Sequence, residues 1–126
     1  MRQRVVAANW KMNLDFMSAK FLVNDIENML DTTNLKDTIL IIAAPFPYID
    51  IVSSLFVSSG KVFAAAQNCH WEQEGAYTGE VSAPILKSVG VRYVIVGHSE
   101  RRHLFNETND TIAKKVATVV LSLIHI

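Results

Sequence analysis

Short apolar runs and amphipathic stretches alternate along the chain. Four runs contain few polar residues, at positions 5–8, 39–44, 62–66 and 91–96. Because these runs lack the alternation of apolar and polar residues that marks a half-exposed strand, we predict the strands of a parallel sheet that is buried on both faces.

Four amphipathic stretches follow these runs and predict helices. Apolar residues recur at helical spacing between residues 16 and 30, and again from about residue 110. The stripe of that last stretch consists of Ile112, Val116, Val119 and Val120. Of the other two stretches, 48–57 follows a turn with two prolines, and 84–89 ends at Gly90, a candidate C-cap. The order β-α-β-α-β-α-β-α predicts one α/β domain with right-handed βαβ crossovers.

At 126 residues, half of them apolar, the chain has the size of one domain with a buried core. Lys plus Arg is 12 and Asp plus Glu is 12, so the formal net charge is zero and the basic surface of a nucleic-acid-binding protein is not expected. The single cysteine, Cys69, suits a reducing compartment. Because no apolar run has the length of a signal-peptide core or a membrane span, we expect a cytoplasmic protein whose partner is a small molecule.

Polar residues gather after the first and fourth predicted strands. Residues 9–13 read Asn-Trp-Lys-Met-Asn, and residues 97–102 read Gly-His-Ser-Glu-Arg-Arg. The C-terminal ends of parallel strands are where α/β proteins place their ligand sites. Each residue also has an ordinary structural explanation: Lys11 as an exposed loop lysine, His98 as a structural histidine, and Glu100 as part of a solvated ion-pair cluster.

Two other kinds of site are not expected. The candidate metal ligands do not have zinc-ligand spacing, and residues 97–102 do not match the phosphate-binding Walker pattern. The candidate ligands are Cys69, His70, His98 and His103. We therefore predict no metal site.

The segment 67–80 is polar, contains glycine, and is longer than the roughly 2–6 residues usual for a connection between a strand and a helix. Within it, residues 75–80 read Gly-Ala-Tyr-Thr-Gly-Glu. Together with segments 9–13 and 97–102, in that order, this motif closely resembles the triosephosphate isomerase family. The resemblance runs from about Val5 to Val120 and covers the N-terminal half of the family's pattern.

The resemblance implies a fold and a reaction. The family folds as a (β/α)8 TIM barrel of typically about 250 residues, with the active site at the C-terminal strand ends. This chain supplies four strand-helix units, so we expect the N-terminal half, (β/α)4, of a TIM barrel, here named the half-barrel. The family interconverts dihydroxyacetone phosphate and glyceraldehyde 3-phosphate through an enediol(ate), without metal or organic cofactor.

The resemblance also implies residue roles. Asn9 and Lys11 would line the substrate site, with the Lys11 ammonium beside the phosphate and the developing oxyanion. His98 would be the neutral electrophile that polarises the carbonyl and moves protons between the two oxygens. Ser99 and Glu100 resemble the family's supporting residues.

A homodimer is implied as well, formed through the long loop 67–80. Thr78 resembles the residue at the loop tip that buttresses the partner's site, and Cys69 and Trp71 would then be interface residues. The charged network around the site and the subunit contact would contain Glu80, Arg101 and Glu107.

The family's glutamate base, on a later strand, its mobile lid and its later phosphate loops have no counterpart in these 126 residues. We therefore expect the fragment alone to be inactive. The resemblance assigns residues 1–120 to the half-barrel and leaves residues 121–126, Leu-Ser-Leu-Ile-His-Ile, as a non-family tail. That tail matches one translation of a transposase-end adapter used in DNA library preparation, and we interpret it as an artefact. The alternative is a genuine short C-terminus.

Two other functions stay open at this point. A half-barrel has open strand edges at 5–8 and 91–96 and an uncovered apolar interior, which favour self-association. The chain would then be a non-catalytic, self-associating half-barrel or a scaffold that binds sugar phosphates. Another sugar-phosphate isomerase or aldolase on the same barrel is the third possibility, although it would not be expected to share all three motifs.

Overall fold

The computed structural model describes residues 3–126; Met1 and Arg2, with which the predicted unit 1–120 begins, lie outside the described residues. The strands are β1 (Arg4–Asn9), β2 (Thr38–Ala44), β3 (Val62–Ala66) and β4 (Tyr93–Val94). The helices are α1 (Phe16–Thr32), α2 (Ile49–Ser59), α3 (Ala83–Ser88), α4 (Ser99–Leu104) and α5 (Asn109–Leu121), with a 3-10 turn at Phe46–Tyr48 before α2.

The four strands form one parallel sheet in the order β1-β2-β3-β4. Val6 lies opposite Leu40, and Ala66 lies opposite Val94. Strands that follow one another in the chain are therefore neighbours in the sheet, each reached through a helical crossover. The predicted α/β domain with a parallel sheet is confirmed.

The strand β4 is shorter than the predicted run 91–96. The backbone N–H of Ile95 still donates to the carbonyl oxygen of Ala66, at 2.8 Å, but β3 ends at Ala66. Because no residue of β3 lies beyond this point to pair with Val96, the ladder stops. That end of β4 leads directly into the glycine and histidine of the 97–102 motif.

The hydrophobic core lies between the sheet and the helices. Fully or almost fully buried side chains from β2, α2, β3 and α5 form it, among them Ile42, Val52, Leu55, Val62 and Val119. Each of these residues belongs to an apolar run or stripe that the sequence pattern identified. The core therefore fixes the sheet and places the C-terminal strand ends on one side of the molecule.

The prediction that all four strands are buried on both faces is wrong for β1. Every residue of β1 is exposed, including Val5 at 56% and Val6 at 54%. In the described part of the chain, β1 pairs with β2 alone, so one edge of β1 has no neighbouring strand. An apolar edge of this kind favours self-association.

The stripe predicted for α5 is rotated in the structure. Val120 is 57% exposed, whereas Lys115 and Thr118 are buried beside Val119. Successive residues of a helix are about 100° apart around its axis, so the buried arc that contains Lys115 and Val119 turns Val120 toward solvent. The predicted C-cap of α3 is off by one residue: Val89 is the C-cap, and Gly90 follows it with φ +88°.

Residues of the segment 121–126 contact the outer edge of β4. The backbone N–H of Val94 donates to the carbonyl oxygen of His125, and that of His125 donates to Arg92, both at 2.9 Å. Tyr93 and His125 form a parallel bridge, and Ile124 is buried in the core. Within residues 3–126, no helix combines the length and the hydropathy that crossing a membrane requires.

Candidate active site

A cleft of about 260 Å³ lies at the C-terminal ends of the strands. Its polar lining comes from the residues after β1, β3 and β4, and its apolar lining from Met12, Phe46 and Phe105. The polar residues are Asn9, Lys11, Gln67, Asn68, His98, Glu100 and Arg101. The three connections that follow these strands therefore converge on one site.

Lys11 and Glu100 form an ion pair at the cleft, with 2.5 Å between Nζ and Oε1. The hydrogen bond from Lys11 lowers the pKa of Glu100 below its usual value, and the charge of Lys11 acts in the same direction. The backbone of Lys11 has φ +57°, which a residue with a side chain rarely adopts. Its N–H donates to Asn9 Oδ1 at 2.9 Å, and this contact supports the unusual conformation.

His98 is the N-cap of α4, and its Nδ1 accepts the backbone N–H of Glu100 at 3.2 Å. Glu100 Oε2 also lies 3.5 Å from this nitrogen, a distance too long for a good hydrogen bond. An N–H group donates only to an unprotonated nitrogen, so the backbone contact fits a neutral ring with its proton on Nε2. The geometry thus leaves a hydrogen-bond donor on the opposite side of the ring.

Gln67 connects the cleft residues of β1 to the end of β3. Its Nε2 donates to the carbonyl oxygen of Lys11 at 2.8 Å and lies 3.2 Å from both Asn9 Oδ1 and the carbonyl oxygen of Ala43. Gln67 was not predicted as a site residue. The sequence feature that could have identified it as a site residue is a polar side chain directly after a buried strand.

Below the cleft, Glu107 accepts a hydrogen bond from Arg101 Nε at 2.6 Å and another from the ammonium of Lys115. Burial alone would raise the pKa of Glu107, but the hydrogen bonds from Lys115 and Arg101 outweigh it and hold the pKa below its usual value. Lys115 was likewise not predicted as a member of this network. The sequence feature that could have indicated a buried lysine is its position between Ile112 and Val119, at helical spacing from both.

The comparison with known protein families decides the classification. A family model for triosephosphate isomerase matches residues 4–125. The chain belongs to the triosephosphate isomerase family. The half-barrel is therefore the N-terminal half of a TIM barrel, as predicted.

Individual relatives agree with the family model. The chain is 44% identical over 120 residues to the triosephosphate isomerase of Alkaliphilus oremlandii, covering 95% of this chain and 47% of the relative. It is 46% identical over 116 residues to that of Cytophaga hutchinsonii, covering 92% and 45% respectively. The corresponding protein of Aquifex aeolicus is 40% identical over 114 residues, with 90% and 45% covered. The chain spans about half the length of the curated relatives it matches.

The structure brings together most of the site residues that resemblance to the family implied. Asn9, Lys11, His98 and Glu100 all line the cleft. Ser99 is the first residue of α4 and is exposed, and it is not among the residues that line the cleft. The supporting role of Ser99 stays a prediction.

The charged network is only partly as expected for the family. Arg101 and Glu107 are in contact, but Glu80 lies elsewhere, with its Oε2 at 3.7 Å from His70 Nδ1. Lys115, which was not predicted, completes the network around Glu107. The third charged residue of this network therefore comes from α5 and not from the long loop.

The long loop 67–80 is exposed from Glu72 to Glu80, so Thr78 is available at its surface. Cys69, however, is completely buried in the chain's own core, and this burial raises the pKa of its thiol to about 11. The expectation that Cys69 is an interface residue is therefore wrong. Trp71 remains partly exposed, with Lys114 Nζ 5.6 Å from its ring centroid.

Among the described residues, no group of three or more His, Cys, Asp and Glu side chains could hold a metal ion. The chemistry that the cleft offers is instead that of fixed charge and hydrogen bonds. A cation, a neutral imidazole donor and amide groups face one small space. Such groups can bind a phosphorylated compound and stabilise negative charge on an oxygen.

Proposed function

We propose that the whole protein to which this half-barrel belongs interconverts dihydroxyacetone phosphate and glyceraldehyde 3-phosphate through an enediol(ate). The hydrogen bond from the Glu100 backbone to His98 Nδ1 is the observation that carries this proposal. It keeps the imidazole neutral and leaves Nε2–H as a donor for a substrate carbonyl oxygen. In this role His98 polarises the carbonyl and moves a proton between the two oxygens.

Lys11 supplies the positive charge of the proposed site. Its ammonium lies beside the substrate phosphate and the oxygen on which negative charge develops, and Asn9 contributes an amide at the same end of the cleft. Glu100 holds the ammonium in place before substrate arrives. Because the charge is positioned in advance, little reorganisation is needed when the oxyanion forms.

We infer that residues 1–126 alone do not turn over substrate. Among the described residues that line the cleft, Glu100 is the one carboxylate, and it is engaged by Lys11. The base that removes a carbon-bound proton therefore has to come from another part of the barrel. A general base contributes about 10²–10⁴-fold, and loss of a lid and of phosphate contacts adds to that deficit.

The proposal includes the assembly and location implied by the family. We infer a homodimer in which the exposed loop 67–80 reaches the partner and Thr78 buttresses the partner's site. The expected partners are a triose phosphate and a second subunit, with neither nucleic acid nor membrane involved. The expected location is the cytoplasm.

A chimeric enzyme tests the catalytic proposal. In this chimera, residues 1–120 precede the C-terminal half of the Alkaliphilus oremlandii relative, which the chain does not cover. We expect the chimera to interconvert the two triose phosphates. His98→Asn keeps a side-chain acceptor for the N-cap of α4 but removes the imidazole, so kcat should fall about 10²-fold or more.

The matched control is His103→Asn, because His103 lies on the exposed side of the same short helix. This substitution should leave kcat and KM unchanged. If the chimera folds but does not turn over, the proposed reaction is wrong. If both histidine variants retain the turnover of the unaltered chimera, the role of His98 is wrong.

A self-associating half-barrel is the second candidate function. The exposed apolar β1 edge favours it, since Val5 and Val6 lie uncovered on a strand with a free side. A scaffold of this type could retain the cleft for binding a sugar phosphate without catalysis. Size-exclusion chromatography of residues 1–126 separates the two, because a soluble oligomer of defined size supports the scaffold.

A further inference from the structure

Lys115 is buried at 4% exposure in the middle of α5, a helix that does not line the cleft. A lysine in this position loses most of its hydration. A protein with a hydrophobic side chain of similar volume in its place is often as stable or more stable. The contacts of Lys115 therefore need an explanation beyond packing.

The Lys115 ammonium is linked by hydrogen bonds to two residues that line the cleft. Nζ donates to Asn68 Oδ1 at 2.8 Å and to Glu107 Oε1. The same Glu107 oxygen accepts from Arg101 Nε at 2.6 Å. Asn68 follows β3 and Arg101 lies on α4, and both line the cleft. One buried cation thus connects, directly to Asn68 and through Glu107 to Arg101, two cleft-lining side chains that are far apart in the chain.

His98 lies close to Arg101 in the chain. Both belong to the short segment at α4, which includes the N-cap and the first turns. A shift of Arg101 relative to Asn68 would therefore also move the imidazole relative to the end of β3. Misplacing a binding group by about 1 Å can reduce a rate by about 10²-fold.

We propose that Lys115 is a positioning residue that sets the separation of Asn68 and Arg101 and thereby the affinity of the cleft for a phosphorylated substrate. This inference rests on the proposed function and assigns Lys115 no contact with substrate. Lys115 acts through Asn68 on one side and through Glu107 on the other.

The test uses the chimera defined above. Replacing Lys115 alone would leave Glu107 short of a partner, so the main variant is the double substitution Lys115→Met with Glu107→Gln, which removes both charges together. Lys114→Met is the control, because Lys114 is the exposed neighbour on the same helix. The readouts are kcat and KM for dihydroxyacetone phosphate, the affinity for inorganic phosphate by calorimetry, and the reaction of Cys69 with a thiol reagent.

We expect kcat/KM and phosphate affinity of the double variant to fall about 10- to 100-fold, with the control unchanged. Cys69 lies next to Asn68 and is completely buried, so its continued protection from the reagent shows that the core is intact. Values equal to those of the control would overturn the proposal. Loss of affinity together with a newly reactive thiol would also overturn it, because the role of Lys115 would then be structural.

The failure of the proposed reaction is distinguishable from the failure of this inference. Phosphate affinity does not depend on turnover, so a chimera that binds phosphate but does not isomerise triose phosphates contradicts the reaction alone. The comparison between the double variant and Lys114→Met still tests Lys115 in that case. An unaltered chimera that binds no phosphate contradicts both proposals.

Discussion

Lys11 and Glu100 are 89 residues apart in the chain, yet their Nζ and Oε1 atoms are 2.5 Å apart. Lys11 follows β1 and Glu100 follows β4, the first and last strands of the sheet order. The ion pair therefore crosses the mouth of the half-barrel and joins the connections of its two outermost strands. Both side chains remain about half exposed, at 52% and 45%, so the pair organises the cleft more than it stabilises the fold.

Replacing Lys11 by Met in the chimera should reduce kcat/KM about 10²- to 10³-fold, because a positioned charge beside the developing oxyanion is lost. The pKa of Glu100 should rise toward its usual value of 4.5, since the hydrogen bond from Lys11 is the largest cause of its lowering. Steady-state kinetics and carbon-13 NMR titration of the Glu100 carboxyl measure the two effects. Lys20→Met, on the exposed surface of α1, is the control. An unchanged Glu100 titration would show that the pair does not form in solution.

A comparison of Gly97 with Gly60 tests how tightly the backbone just before α4 is packed. Both have φ +66°, but a Cβ on Gly97 would lie 2.9 Å from Ile112 Cδ1, whereas one on Gly60 would have no atom within 4 Å. Both Ala variants incur the backbone strain, and Gly97→Ala adds a steric clash of about 1–3 kcal/mol. We expect a lower melting temperature for Gly97→Ala than for Gly60→Ala in the chimera. Equal melting temperatures would mean that Ile112 moves aside without cost.

Glu107 should make the stability of the chimera sensitive to acid. Because its folded pKa is lowered, its ionised form stabilises the protein above the usual value of 4.5, and this contribution is lost as pH falls through the folded pKa. At pH 7, Glu107→Gln should lower the free energy of unfolding by about 3–5 kcal/mol, because Lys115 is left buried without its counter-charge. The difference from the unaltered chimera should shrink below about pH 4.5.

Urea unfolding at several pH values measures this effect. Glu72→Gln is the control, because Glu72 is exposed in the long loop, and its effect should stay within about 0.5 kcal/mol. A Glu107→Gln deficit that is constant with pH would contradict the assignment of Glu107 as the titrating group.

The β1 edge should control the self-association of residues 1–126 on their own. In size-exclusion chromatography we expect a broad peak of high apparent mass, which Val6→Lys shifts toward the monomer because lysine on an edge strand opposes pairing. Val57→Lys is the control, since Val57 is 87% exposed on α2, away from this edge. If the unaltered chain elutes as a monomer, the β1 edge does not cause self-association. A sharp oligomer peak would instead support the scaffold function.

Many of the strands and helices could be predicted from the local spacing of apolar residues. The run at 62–66 coincides with β3, and the helical spacing from residue 16 identified α1 to within two residues of its end. These patterns are visible in sequence because side chains repeat with the periods of strand and helix. The motif at 9–13 likewise begins at the last residue of β1, and the motif at 97–102 begins three residues after the end of β4.

Other properties depended on contacts between distant segments. The apolar run 91–96 was expected to form an open edge and does not reveal that His125 pairs with β4. The stripe of α5 does not reveal that its buried arc contains Lys115 instead of Val120. Cys69 looked like an interface residue in a polar loop until the fold placed it in the core. Each of these outcomes is set by strand order or helix rotation, which no local period encodes.

The amino-acid sequence by itself determined the alternating strands and helices through local periodicity. Its short motifs, through their resemblance to the family, indicated the half-barrel and the positions of Asn9, Lys11 and His98. Only the tertiary structure decided which nitrogen of His98 accepts a hydrogen bond, that Gln67 contacts the backbone of Lys11, and that Lys115 joins Asn68 to Glu107. Hydrogen bonds and ion pairs require donor and acceptor within about 3 Å of each other. That proximity arises only when the strands are in register and the helices are packed against the sheet.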